Sequence, residues 1–248
     1  MSRWKAAGIH LSANAVIATL ALALIFLVWY PHPYSQAAGA GMLALLLLGV
    51  DLVLGPLLTL VVYKAGKKSL RFDLTIIVML QIAAFAYGLH VVAQARPAFI
   101  VGAVDRFVLV AANELAPTDI AKASNPRFNH VPWTGPLVVG AKLPSEASEV
   151  KALVFSGLAG KDVEKFPQYY VPYADVASAL LARATPLDTF VRKHPTASAM
   201  IDAWRQAHPA QPADSVVALP LNSRTQAVTA LVDRHTGAIL DTLAFDPW

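Results

Sequence analysis

The 248-residue sequence contains no cysteine, which excludes disulfides, thiolate metal sites and cysteine nucleophiles. Charge is scarce too. Only 15% of residues are Asp, Glu, Lys or Arg, while 56% are hydrophobic; soluble domains carry roughly 25% charged residues. So little charge excludes a disordered chain or a nucleic-acid-coating one, which need it to stay solvated or to neutralise phosphates. Catalytic signatures are also missing. There is no G-x-S-x-G, P-loop, G-x-G-x-x-G or H-E-x-x-H in the sequence. Its histidines (His10, His32, His90, His130, His194, His208, His235) are scattered, with no pair at helical ligand spacing. No metal, no cofactor, no enzymatic activity and no nucleic-acid partner are expected.

What the sequence does have is concentrated in its first third. Residues 1–93 carry six basic groups (Arg3, Lys5, Lys64, Lys67, Lys68, Arg71) against Asp51 and Asp73, whereas residues 94–248 carry fourteen of each sign. Three apolar runs, Leu11–Tyr30, Met42–Tyr63 and Leu74–Ala93, fall within this basic third. Each has close to the ~20 residues that cross a hydrocarbon core as a helix. The reading is a three-helix transmembrane domain over 1–93, in contact with the lipid bilayer. A cleavable signal is the competing reading of the first run, given the basic leader and the small residues Ala38-Gly39-Ala40. The run is longer than a usual signal core, and Trp29-Tyr30 sits where an interfacial anchor belongs. The segment 64–73 has four basic residues, and Pro31–Gly41 has no charged one. By the positive-inside rule the amino terminus is cytoplasmic. Everything after about Gln94 is then delivered to the periplasm of a bacterium, with the helices in the inner membrane.

Residues 94–248 read as a periplasmic α+β domain, its helices packed on an antiparallel sheet. Phe99–Val104, Arg106–Ala111, Ser215–Leu221 and Gln226–Leu243 are rich in strand formers, the last folding back at Asp233–Gly237. Helices are expected over Pro117–Ala123, Ser145–Ser156 and Pro172–Ala184, with further starts at Thr185-Pro186 and His194-Pro195. Ser124–Pro144, with four prolines, reads as a long loop anchored by Trp133.

One catalytic pattern occurs. Ser148-Glu149-Val150-Lys151 is an S-x-x-K, but the S-D-N and K-T-G elements that accompany it in penicillin-binding enzymes are absent. An exposed amphipathic helix explains it more simply; a membrane-anchored hydrolase is the alternative. The apolar runs are more informative. Asp51 lies mid-span, where an ionisable group costs roughly 2.5–3.5 kcal/mol on insertion scales. Gly55 and Thr59 follow at steps of four, and Pro56 frees a backbone carbonyl within the helix. Asn14 in the first span, and Gln81 and Gly88 in the third, extend this small and polar seam. Such a seam either holds the three helices together or accepts a fourth from another protein.

Several strings resemble the type IV pilin accessory proteins, the TfpX/TfpZ family. They are Arg3-Trp4-Lys5-Ala6-Ala7-Gly8-Ile9-His10-Leu11-Ser12, the second-span Gly49-Val50-Asp51-Leu52-Val53-Leu54-Gly55-Pro56-Leu57-Leu58-Thr59-Leu60, Val104-Asp105-Arg106-Phe107, and the ending Asp246-Pro247-Trp248. The resemblance implies an inner-membrane, chaperone-like protein that binds a major type IV pilin and assists its stability or assembly, with no enzymatic activity. A sensor or structural subunit of another envelope machine stays open.

Overall fold

Long apolar runs with no interrupting turn chemistry form helices, and the computed structural model, which describes residues 2–248, has three that are long and apolar enough to cross a membrane. Helix α1 covers Arg3–Ala23 and continues as a π-helical turn over Leu24–Trp29; α3 covers Ala40–Val62 and α4 covers Leu70–Gln94, with the short α2, Tyr34–Ala37, between α1 and α3. Pro56 is accommodated inside α3, which continues to Val62. The long helices pack through small residues: Ala18 and Ala21 of α1 meet Leu48 of α3, with Leu47, Leu52 and Phe85 alongside. Their outer surface is apolar. Leu20, Leu27 and Val61 are about two-thirds exposed or more, the reverse of a bundle solvated by water.

The chain divides into two compact units, one of residues up to Trp29 with Gly39–Ala95, the other of Tyr30–Ala38 with Arg96–Trp248. The uncharged connection between α1 and α3 thus belongs to the second unit. Ala37 is fully buried in that unit's core, Thr242 Oγ1 donates to the Pro33 carbonyl at 2.6 Å, and the Gln226 side-chain amide donates to the Gln36 carbonyl.

The second unit is built on one sheet. In chain order its elements are β1 (Pro97–Ala103), β2 (Arg106–Ala111), α5 (Pro117–Ile120), β3 (Leu137–Ala141), α6 (Ala147–Leu158), β4 (Tyr170–Pro172), α7 (Ala174–Leu181), β5 (Thr185–Pro186), α8 (Leu187–Lys193), α9 (Ser198–Ala207), β6 (Val216–Asn222), β7 (Ala227–Asp233) and β8 (Ile239–Leu243). The strand order is β4-β3-β1-β2-β6-β7-β8, with β5 on β6. The sheet is mixed, not purely antiparallel as expected: β1 pairs with β3, and β2 with β6, in parallel. Hairpins leave a local turn signal in sequence, whereas parallel neighbours are joined by long crossovers that leave none. For the same reason β3 lies inside the segment expected to be a loop. Thr185-Pro186, expected to begin a helix, instead bridges to Ala218 and Val217, and α8 starts immediately after it.

Alternation along the strands separates the two faces. Phe99 and Val101 of β1 join Phe128, Val139 and Tyr170 on one side. Ile100 joins Phe107, Leu180 and Leu221 on the other, where β6 also places Val217 and Leu219. Val216 and Ala218 meet Phe190, Ile201 and Trp204 of α8 and α9. The β7–β8 turn forms where the sequence places it. Asp233 Oδ1 accepts from the His235 and Thr236 N–H groups at 2.9 and 2.7 Å, and Gly237 takes φ +73°, a conformation that favours glycine.

Candidate functional site

The polar residues of the three long helices meet in one place. The four-residue step on α1 puts His10 and Asn14 on the face toward α3. Asn14 is buried and its Nδ2 donates to the Asp51 backbone carbonyl at 2.9 Å. From α4, Gln81 Nε2 donates to Asp51 Oδ1 at 3.1 Å. Asp51 is thereby gripped from both sides, by its backbone on α1 and by its carboxylate on α4. Thr59, two turns further along α3, is buried and shares a 2.6 Å hydrogen bond with His10 Nδ1. His10 is the residue sequence reasoning missed; its spacing from Asn14 is the signal that points to it.

The glycines of the seam mark close approach. A Cβ at Gly55 would lie 2.0 Å from Gln81 Nε2, and one at Gly88 would lie 2.6 Å from Leu47 Cδ1. Pro56, next to Gly55, removes the N–H that the Leu52 carbonyl would otherwise receive. Asn14, Asp51, Gly55 and Gln81 therefore form one cluster, while His10–Thr59 and Gly88–Leu47 are separate contacts. Between α3 and α4 lies a cleft of about 480 Å³, walled by Leu47, Leu54, Leu80 and Tyr87, with Asp51 and Gln81 among its lining residues. Gln81 Oε1 is buried and has no hydrogen-bond partner among the described residues.

The sheet unit has its own cleft, about 630 Å³, at the β1–β2 turn. Val104 in that turn has φ +57°, a left-handed conformation that a β-branched residue rarely adopts. Asp105 and Arg106 pair at 2.7 Å, and the Arg106 guanidinium stacks over the Trp248 ring at 4.8 Å. Trp248 Nε1 in turn donates to Asn222 Oδ1 at 3.4 Å. Two strings far apart in sequence, Val104–Phe107 and Asp246–Trp248, thus converge. Within the same cleft Glu114 faces Lys165 at 3.3 Å, and burial pushes the Glu164 carboxyl above its ordinary range. Nearby, the buried Asp119 carboxyl is held below its ordinary range, chiefly by its hydrogen bond from Lys161. Ser148 and Lys151 lie exposed on α6, with no hydrogen bond between them among the described residues. Those residues also include no group of three or more His, Asp or Glu side chains arranged to hold a metal.

Residues 1–39 match the family described as fimbrial assembly protein FimB. Over 185 residues, 74% of this chain and 72% of the relative, the sequence is 31% identical to the fimbrial assembly protein of serogroup I from Dichelobacter nodosus. The chain belongs to the fimbrial assembly protein FimB family. The serogroup E1 protein of the same organism is 30% identical over 185 residues, again 74% of this chain and 72% of that one. The protein of serogroups C1 and C2 is 33% identical over 121 residues, 48% of this chain and 92% of its own length. No solved structure matches. Membership ties the chain to fimbrial assembly; the TfpX/TfpZ designation is narrower than these matches.

Proposed function

We propose that this member of the FimB family is a multi-pass inner-membrane protein that binds the major fimbrial subunit, a type IV pilin, and assists its stability or assembly into fimbriae. The helices cross the membrane with the amino terminus and the 64–73 segment in the cytoplasm, and the sheet unit lies in the periplasm. The observation that carries this reading is the two-unit construction in a fimbrial assembly family. One unit has an apolar exterior and a polar seam centred on Asp51. The other is a water-facing sheet unit of balanced charge, joined to the helices at Tyr30, Ala38 and Arg96. Such a chain offers binding surfaces at two levels, one for a membrane-embedded helix and one for a folded head.

Binding and release suffice for the task, and no residue is assigned a chemical step. The serogroup labels of the relatives fit a protein matched to the type of fimbria it serves. Deleting the gene from the native bacterium tests the reading. Surface fimbriae should fall at least tenfold with unchanged transcription of the subunit gene, and return on complementation with the intact chain. Normal fimbriation in the deletion strain would refute it.

A further inference from the structure

We infer that the cleft between α3 and α4 seats one transmembrane helix of the fimbrial subunit, held at mid-span by a hydrogen-bond donor that the subunit presents to Gln81 Oε1 and the Asp51 carboxylate. The inference rests on the function proposed above, since it takes the helices to span the bilayer and the partner to be the subunit.

The polar atoms around the cleft do not all pair with one another. Asn14 Nδ2 uses the Asp51 backbone carbonyl, and Gln81 Nε2 uses Asp51 Oδ1. Two acceptors are left over. Gln81 Oε1 is buried with no partner, and Asp51 Oδ2 accepts no hydrogen bond among the described residues. Turning the Gln81 amide over would only set two acceptors face to face. Between a carboxylate and one side-chain amide, acceptors therefore outnumber donors. In hydrocarbon no water is at hand to satisfy them.

What fills the cleft must therefore bring a donor. Its walls, Leu47, Leu54, Leu80 and Tyr87, are apolar for most of their extent and suit a side-chain row of an apolar helix. An acyl chain matches those walls but has no donor to offer. A second copy of this chain is also a poor match. The exposed hydroxyls of α1 are already used on their own helix, Ser12 donating to the Gly8 carbonyl at 3.0 Å and Thr19 to the Ala15 carbonyl at 2.8 Å. On α4, Thr75, Tyr87 and His90 each lie more than a turn of helix away from Gln81. A foreign helix with a hydroxyl, an amide or a protonated acid near mid-span supplies what is missing. Its hydrogen bond forms where no water competes, so it fixes depth and register as well as affinity.

Photo-crosslinking in native membranes tests this. p-Benzoylphenylalanine is placed at Leu80 or Tyr87, exposed at the cleft, at Val16 on the outer face of α1, and at Trp133 on the sheet unit, all in the full chain. The expected result is a crosslink to the fimbrial subunit from Leu80 and Tyr87 and none from Val16. Asp51→Leu and Gln81→Leu should each lower the cleft crosslink about tenfold at unchanged chain abundance, with Asp51→Asn, which keeps a carbonyl acceptor, nearer to the unsubstituted chain. Crosslinks from Leu80 and Tyr87 to lipid or to a second copy, with Trp133 still reaching the subunit, would overturn the cleft assignment and leave the proposed function standing. Equal yields from Val16 and the cleft would overturn it as well. Loss of subunit crosslinks at every position would overturn both.

Discussion

Gly140 shows how much a single residue can depend on its neighbours in space. It lies in β3 beneath α7, where an added Cβ would sit 2.4 Å from Val176 Cγ2 and 2.9 Å from its Cγ1. Both branches of a side chain that is stiff at χ1 stand in the way. Gly140→Ala is expected to destabilise the sheet unit by about 1–3 kcal/mol, the usual cost of overpacking. Val176→Ala alone loses packing, yet in combination it clears the clash, so the double variant should be at least about 0.5 kcal/mol more stable than the sum of the singles. Melting of the purified full chain, followed by near-ultraviolet circular dichroism, measures this; strict additivity would show that the two residues do not meet. Nothing in the sequence marks Gly140, because Val176 is 36 residues away. Asn14, Asp51 and Gln81 are the opposite case. A polar side chain inside an apolar run stands out without any knowledge of the fold, since hydrocarbon makes each one expensive. His10 carries no such mark, because it lies outside the apolar run, next to the basic leader, where polar residues are common.

Legibility at the scale of elements follows the range of the interactions that form them. The three long helices are set by local composition, and each expected run falls within one of them or within a residue of its end. The β1–β2 and β7–β8 hairpins are likewise local, and the Asp233–Gly237 turn carries its own chemistry. β3, β4 and β5 carry no such local signal, because each is short and owes its extended form to a partner strand distant in sequence. The sequence marks the segment between α1 and α3 as uncharged and, at Ala38-Gly39-Ala40, as small, whereas its burial in the sheet unit comes from the folded sheet. The orientation of the helices is the element-scale claim most open to test. Alkaline phosphatase fused after Trp248 should be active, and a fusion after Lys68 at least tenfold less so at equal expression. The reverse pattern would place the sheet unit in the cytoplasm and remove the periplasmic half of the proposed function.

At the scale of the whole molecule, three chain connections tie the helical unit to the sheet unit, at Trp29–Tyr30, Ala38–Gly39 and Ala95–Arg96. A binder working at two levels benefits from that construction, because weak contacts in the membrane and at the head add up when both belong to one chain. Catalysis is not needed for such a role. The measurement that bears most directly on this account is recovery of the partner itself. The full chain, affinity-tagged at Trp248 and expressed at its native level, is crosslinked in membranes of the fimbriated bacterium and isolated, and the attached proteins are identified. The major fimbrial subunit is expected to be the most enriched protein relative to an untagged control. Enrichment of other envelope components with the subunit at background level would contradict it, and would make the chain a structural or sensory part of another machine.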